Sequence, residues 1–162
     1  MALLGLFLVS FAFLWEPYKT ETILLPQDLR DASFCHGGLK VVYPELDIDQ
    51  CSVIPNDKKL REKLSKVWKA PQIYFPKAQK GSSLLTGEIR GETLTDYLPP
   101  TPPQRSGYHR YQFMLFEQPP HTKISLTKEE SSRGKWNLQG FIRRFNLEDV
   151  ATLQFLTQHF KD

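Results

Sequence analysis

The feature that most constrains this chain is a proline run that leads into a long aromatic strand. Pro99-Pro-Thr-Pro-Pro103 must run extended, because each pyrrolidine ring fixes φ and disfavours helix in the residue before it. After Gly107 comes Tyr108-His-Arg-Tyr-Gln-Phe-Met-Leu-Phe-Glu-Gln118. Strand geometry puts His109, Tyr111, Phe113 and Leu115 on one face, and Arg110, Gln112, Met114 and Phe116 on the other. Apolar groups on both faces predict a strand central in its sheet. Twelve prolines and nine glycines add many turns. Together these predict a mainly β domain with short peripheral helices rather than a helix bundle. The 162 residues suffice for one domain, and 40% apolar with 24% charged residues excludes wholesale disorder.

Other segments fit that frame. Leu39-Lys-Val-Val-Tyr-Pro44, Ser52-Val-Ile-Pro55 and Pro71-Gln-Ile-Tyr-Phe-Pro76 read as short strands bounded by prolines. Leu60, Leu64, Val67 and Trp68 fall at helical spacing, which predicts an amphipathic helix over 58–69. Residues 84–98 read as loop with one helical turn. Ser132-Arg-Gly134 reads as a turn. Residues 138–146 read as a short basic-aromatic helix with Phe141, Ile142 and Phe145 inward. The periodicity of 150–160 permits either a helix or a strand.

Residues 2–15 form an apolar run too short to span a bilayer, which takes about 20 residues. As a secretory signal, residues 1–15 send the chain into the secretory pathway, to be secreted or delivered to lysosomes. No Lys or Arg precedes the run, and its cleavage site is not defined. The competing reading is a buried N-terminal strand or helix. Residues 16–33, polar and rich in Asp, Glu and Thr, read as a flexible N-terminus, with the folded domain spanning 34–162.

Cys35 and Cys51 are the two cysteines, with 15 residues between them. In an oxidising compartment they pair, closing a loop whose constraint stabilises the fold by about 3 kcal/mol. In the cytosol they would be two buried thiols. Cys35-His36 lacks a second ligand pair at zinc spacing, so no metal is expected.

Charge is unevenly spread. Residues 1–51 hold three basic and seven acidic side chains, and residues 57–80 hold eight basic and two acidic ones. The basic run reads either as a solvated face or as a surface for phosphate-rich partners. With no nucleic-acid-binding module in the chain, nucleic acid is not an expected partner. No Gly-x-Ser-x-Gly elbow, Walker loop or dinucleotide fingerprint occurs, and no cofactor is expected. His36, His109, His121 and His159 are scattered, and a Ser–His–Asp arrangement assembled by the fold stays open, with nothing that positively suggests one. His109 stands beside Tyr111 on one strand face. Such a pair can donate hydrogen bonds to an anion, or the histidine can be a satisfied core residue.

Several stretches together resemble the phosphatidylethanolamine-binding protein family: Tyr97-Leu-Pro-Pro-Thr-Pro-Pro103, Ser106-Gly-Tyr-His-Arg-Tyr111, the aromatic strand to Gln118, Ser132-Arg-Gly-Lys-Trp136 and Phe141-Ile-Arg-Arg-Phe145. Gly-x-His-Arg-Tyr is one of the family's two signature motifs. Cys35, Leu39-Lys-Val-Val-Tyr-Pro-Glu-Leu46 and the signal-like start make the secretory branch the nearest. The resemblance covers roughly residues 34–160. It implies a β-sheet fold with a small pocket for phosphatidylethanolamine or other phosphate-bearing anions, peripheral contact with membranes, and modulation of Raf–MEK-type kinase signalling. In that pocket His109 and Tyr111 would form the lining, with Pro102 and Pro103 on its rim and Gly107 beside them. It also implies no enzymatic activity, and a strand over 150–160.

One departure is large. The other signature, an Asp-Pro-Asp-Ala-Pro loop followed by a His-Trp strand, is missing. Pro76-Lys-Ala-Gln-Lys80 runs straight into Gly81-Ser-Ser83, where the family continues with two core strands. The expectation is an internal deletion, as in a splice isoform, that leaves an impaired pocket and exposed strand edges. Two alternatives remain at this level: a secreted protease inhibitor, and an SH3-type ligand built on the P-x-x-P-x-R pattern of Pro100 to Arg105.

Overall fold

The computed structural model describes residue 22 and residues 24–162 other than 133. The proposed signal at 1–15 and Arg133 of the 132–134 turn lie outside the described residues.

Among the described residues seven strands form two sheets. β1 (Leu25–Pro26), β4 (Ser52–Val53), β7 (Glu148–Thr157) and β6 (His109–Glu117) make a four-stranded sheet in the order β1-β4-β7-β6. β3 (Leu46–Ile48), β2 (Lys40–Tyr43) and β5 (Gln72–Tyr74) make an antiparallel sheet in the order β3-β2-β5. Side chains from both sheets share one core: Val41 and Tyr43 of β2, Leu46 and Ile48 of β3, and Ala151, Leu153 and Phe155 of β7. The fold is mainly β with short helices: α1 (Leu29–Ala32), α2 (Lys58–Glu62) and α3 (Leu138–Phe145).

The tail is a strand. β7 runs ten residues, pairs antiparallel with β6 over its length and parallel with β4. Its residues 151–155 are all buried, as expected for a strand between two neighbours.

β6 departs from expectation. It forms the strand foreseen at 107–118, but at the edge of its sheet rather than the centre. Among the described residues no backbone bond reaches it from its outer side. Tyr111, Phe113 and Leu115 pack on the core, while the opposite face carries Met114 and Phe116 half-buried. Apolar character on two faces is thus not matched by strands on two sides.

The basic helix also differs. After α2 the chain makes a π-helical turn, Lys63–Val67, closed by Trp68 N–H donating to the Lys63 carbonyl at 2.8 Å. The wider turn shifts the inward face. Leu60, Leu64 and Trp68 are buried, but Val67 is 66% exposed and Arg61 is fully buried. The expected inward row at α3 holds, with Phe141 buried and Ile142 and Phe145 half-buried. Asn137 caps α3 by accepting from Gly140 N–H at 2.9 Å, and Asn146 ends it in the left-handed conformation at φ +49°.

Regular structure begins before residue 34. Within the segment expected to be flexible, Leu25–Pro26 pairs with Ser52–Val53 and Leu29–Ala32 is helical. Polar side chains do this work. Asp28 caps α1. Gln27 donates to the Ser52 carbonyl at 2.7 Å and accepts from Gln154 at 2.9 Å, and Gln154 in turn accepts from Gln112 at 2.9 Å. Such a relay satisfies a nearly fully buried glutamine. Cys35 and Cys51 form a disulfide. It anchors the same region against β7, where His36 and Thr152 exchange backbone bonds at 3.1 and 3.0 Å.

Candidate functional site

The five residues expected to form the pocket lie along one stretch, the approach to β6 and its first turn. Pro102 is buried, and Pro103 and Gly107 are exposed. Arg105 and Gly107 both take positive φ, +62° and +73°. Gly107 suits that position because a residue without Cβ adopts it freely, and the double reversal turns the proline loop into β6. Arg105 N–H is held by the Asp162 carboxylate at 3.0 and 3.1 Å.

His109 opens β6, half-buried, with Nε2 2.6 Å from Ser106 Oγ. Ser106 Oγ also lies 2.7 Å from the Pro103 carbonyl. That carbonyl can only accept, so the hydroxyl donates to it and accepts from His109 Nε2–H. A serine and an imidazole this close can form an activated nucleophile. Here the hydroxyl proton points at a backbone carbonyl, and among the described residues no carboxylate bonds Nδ1. The contact orients the ring rather than activating the serine.

Tyr111 stacks on Phe155 with ring centroids 5.5 Å apart. Burial raises its pKa first, and the neighbouring Tyr97 adds to the rise. Tyr97 and Tyr43 share a hydrogen bond between hydroxyls at 2.8 Å, and Tyr43 stacks on Trp68 at 5.7 Å. Burial raises the pKa of Tyr97 against the opposing pull of that bond, and raises Tyr43 further. All three phenols are therefore protonated at neutral pH; with Tyr43 donating to Tyr97, the Tyr97 and Tyr111 hydroxyls keep a proton to donate. Tyr97 and Tyr43 were not among the expected site residues. Tyr97 heads the proline motif, which is a usable signal; Tyr43 lies on a core strand and gives none.

The burial of Arg61 was not expected. The residue sits in the basic run, which reads as a solvated face, yet its side chain is fully buried. Its guanidinium reaches Asn56 Oδ1 at 3.1 Å, the Ile54 carbonyl at 3.4 Å and Tyr108 Oη at 3.3 Å, and faces the Tyr108 ring at 5.7 Å. All of these partners are neutral, and Nε has none among the described residues. A buried cation ordinarily has a carboxylate beside it.

Cavities lie elsewhere. One of about 290 Å³ is bordered by Cys35, His36, Cys51 and Thr152. An apolar one of about 410 Å³ lies between Phe116, Leu94, Leu126, Trp136 and Phe141. A third, of about 630 Å³, is bordered by Gly91, Gln118 and His121. None of these three is lined by His109, Tyr111, Pro102, Pro103 or Gly107. Among the described residues no group of three His, Cys, Asp or Glu side chains is placed to hold a metal. The P-x-x-P-x-R segment has Pro103 and Arg105 exposed but Pro100 buried. An SH3-type ligand must present both motif prolines, so this geometry does not favour that role.

No solved structure matches the chain. The family model described as phosphatidylethanolamine-binding protein matches residues 46–159. That span contains the proline loop, the Gly-x-His-Arg-Tyr motif, β6 and β7. It covers more than half of the chain, and the chain belongs to the phosphatidylethanolamine-binding protein family.

Proposed function

We propose that this protein binds phosphate-bearing small anions, phospholipid head groups among them, through an incomplete site at the start of β6, and that it does so weakly. At family level, membership supports phospholipid or anion binding by a protein that is not an enzyme. The observation that carries the reading is the placement of His109 and Tyr111 on an edge strand with no partner on its outer side among the described residues. Protonated phenols at Tyr97 and Tyr111 supply donors, but no wall opposite them completes an enclosure.

An internal deletion after Pro76 accounts for three features at once. The chain turns back directly at 77–81 from β5 toward the helical turn at Ser83–Leu85, with Phe75 N–H donating to the Leu84 carbonyl at 2.9 Å. Among the described residues β6 lacks an outer neighbour, and Arg61 is buried without a counter-charge. Two further strands inserted at this point would be available to cover the edge and to bring an acidic residue. The rest of the proposal follows from the nearest family branch and the N-terminal run: entry into the secretory pathway, secretion or lysosomal delivery, peripheral membrane contact and modulation of a kinase pathway.

Isothermal titration with phosphoethanolamine tests the binding claim. The expected result is a weak, saturable signal that His109→Ala abolishes. A signal unchanged by His109→Ala, or no signal at any accessible concentration, would overturn it.

A further inference from the structure

We infer that the open edge of β6 pairs with β6 of a second copy of this chain, closing a two-fold antiparallel dimer that extends the four-stranded sheet. Alternate residues of an edge strand turn N–H and C=O outward, a ready template for another strand. Natural edges are blunted by lysines, prolines, bulges or inward charges. β6 has none of these between Tyr111 and Phe116. Its pairing with β7 does contain an irregularity, but the extra residue, Val150, belongs to β7: Leu115 faces Ala151 and Phe116 faces Asp149. The edge strand itself is continuous for nine residues, long for an unprotected edge.

The occupant is a second copy because the strand complements itself. Its first residues, His109 and Arg110, are basic, and its last, Glu117, is acidic. A two-fold axis through Phe113 sets His109 opposite Glu117 of the other copy, Tyr111 opposite Leu115, and Gln112 opposite Met114. Arg110, held by Asp31 of its own copy, falls opposite Phe116; a histidine and a carboxylate thus meet at each end, and aromatic and aliphatic side chains meet in the middle, the pairings that stabilise antiparallel sheets. The partner on the far edge of the sheet, β1, has two residues, so the contact is isologous and closes at two copies. An unrelated extended peptide could use the same backbone groups but would not reproduce this two-fold match of side chains.

The test uses the full chain expressed through the secretory pathway and purified in the form the cells yield. Light scattering after size exclusion should show a concentration-dependent dimer. Met114→Lys puts a charge at the middle of the edge, on the face turned away from the core, and should weaken dimerisation by at least about tenfold. Hydrogen exchange on the unsubstituted chain gives a readout that needs no variant: β6 amides should slow as concentration rises. A monomer at all concentrations would overturn the inference. So would a dimer indifferent to Met114→Lys with freely exchanging β6 amides, or open-ended polymers.

Discussion

Arg110 clasps Asp31 with two nitrogens, Nε to Oδ1 at 2.6 Å and Nη2 to Oδ2 at 3.0 Å, across 79 residues of chain. This forked pair ties the first turn of β6 to α1, and so anchors the strand that carries the candidate site.

The bond with Arg110 lowers the Asp31 pKa below its ordinary value, against a smaller opposing effect of burial. A carboxylate depressed in the folded state contributes stability above its unfolded pKa and loses it as pH falls through the folded one. Thermal midpoints should therefore fall on acidification through the carboxylate range, and Asp31→Asn should flatten that part of the profile. Melting curves over a pH series measure this.

Phe155 holds both core-facing aromatics of β6, Tyr111 at 5.5 Å and Phe113 at 6.0 Å. It is fully buried. Phe155→Ala should cost about 3–5 kcal/mol, read from urea unfolding, and should loosen β6 before the β3-β2-β5 sheet in hydrogen exchange.

Arg61 should be dispensable for stability. Its buried charge has only neutral partners, and replacing such a group with an apolar side chain of similar volume is often neutral or stabilising. Arg61→Met should raise stability by about 1–2 kcal/mol in chemical denaturation. A large loss would mean that the guanidinium is compensated in solution.

Gly37 approaches β7 too closely for a side chain. It has φ +79°, and a Cβ there would meet Ala151 Cβ and the Val150 carbonyl at 2.5 Å. Gly37→Ala should cost about 2 kcal/mol or more and accelerate exchange at the Thr152 amide, which bonds His36.

Much of this architecture was legible in the sequence. Proline boundaries located β2 and β5, and the alternation in 109–116 separated the core face of β6 correctly. The Cys35–Cys51 pairing followed from composition. Neighbours, however, are not written in a strand's own pattern. Two apolar faces suggested a central position for β6, whereas strand order depends on segments elsewhere in the chain. Val67 turns outward because one π-turn after Glu62 shifted the helix register, which a 3.6-residue period does not anticipate, while Arg61, in the α-helical part before it, is buried beside Leu60. Local polarity at 24–33 read as flexibility, although Gln27 and Asp28 use their polar groups to join the fold. Of the site, His109 and Tyr111 were visible through their motif. The hydroxyl pair of Tyr43 with Tyr97 and the burial of Arg61 were not, since a core tyrosine and a lysine-rich helix carry no local mark of either.

The most direct test is a two-dimensional amide NMR titration of the chain with phosphoethanolamine, alongside a family member that retains both signature motifs. The account predicts dispersed spectra, shifts centred on His109 and Tyr111, and an affinity well below that of the complete relative. Equal affinity would contradict it, because the open edge of β6 would then be no impairment to the site.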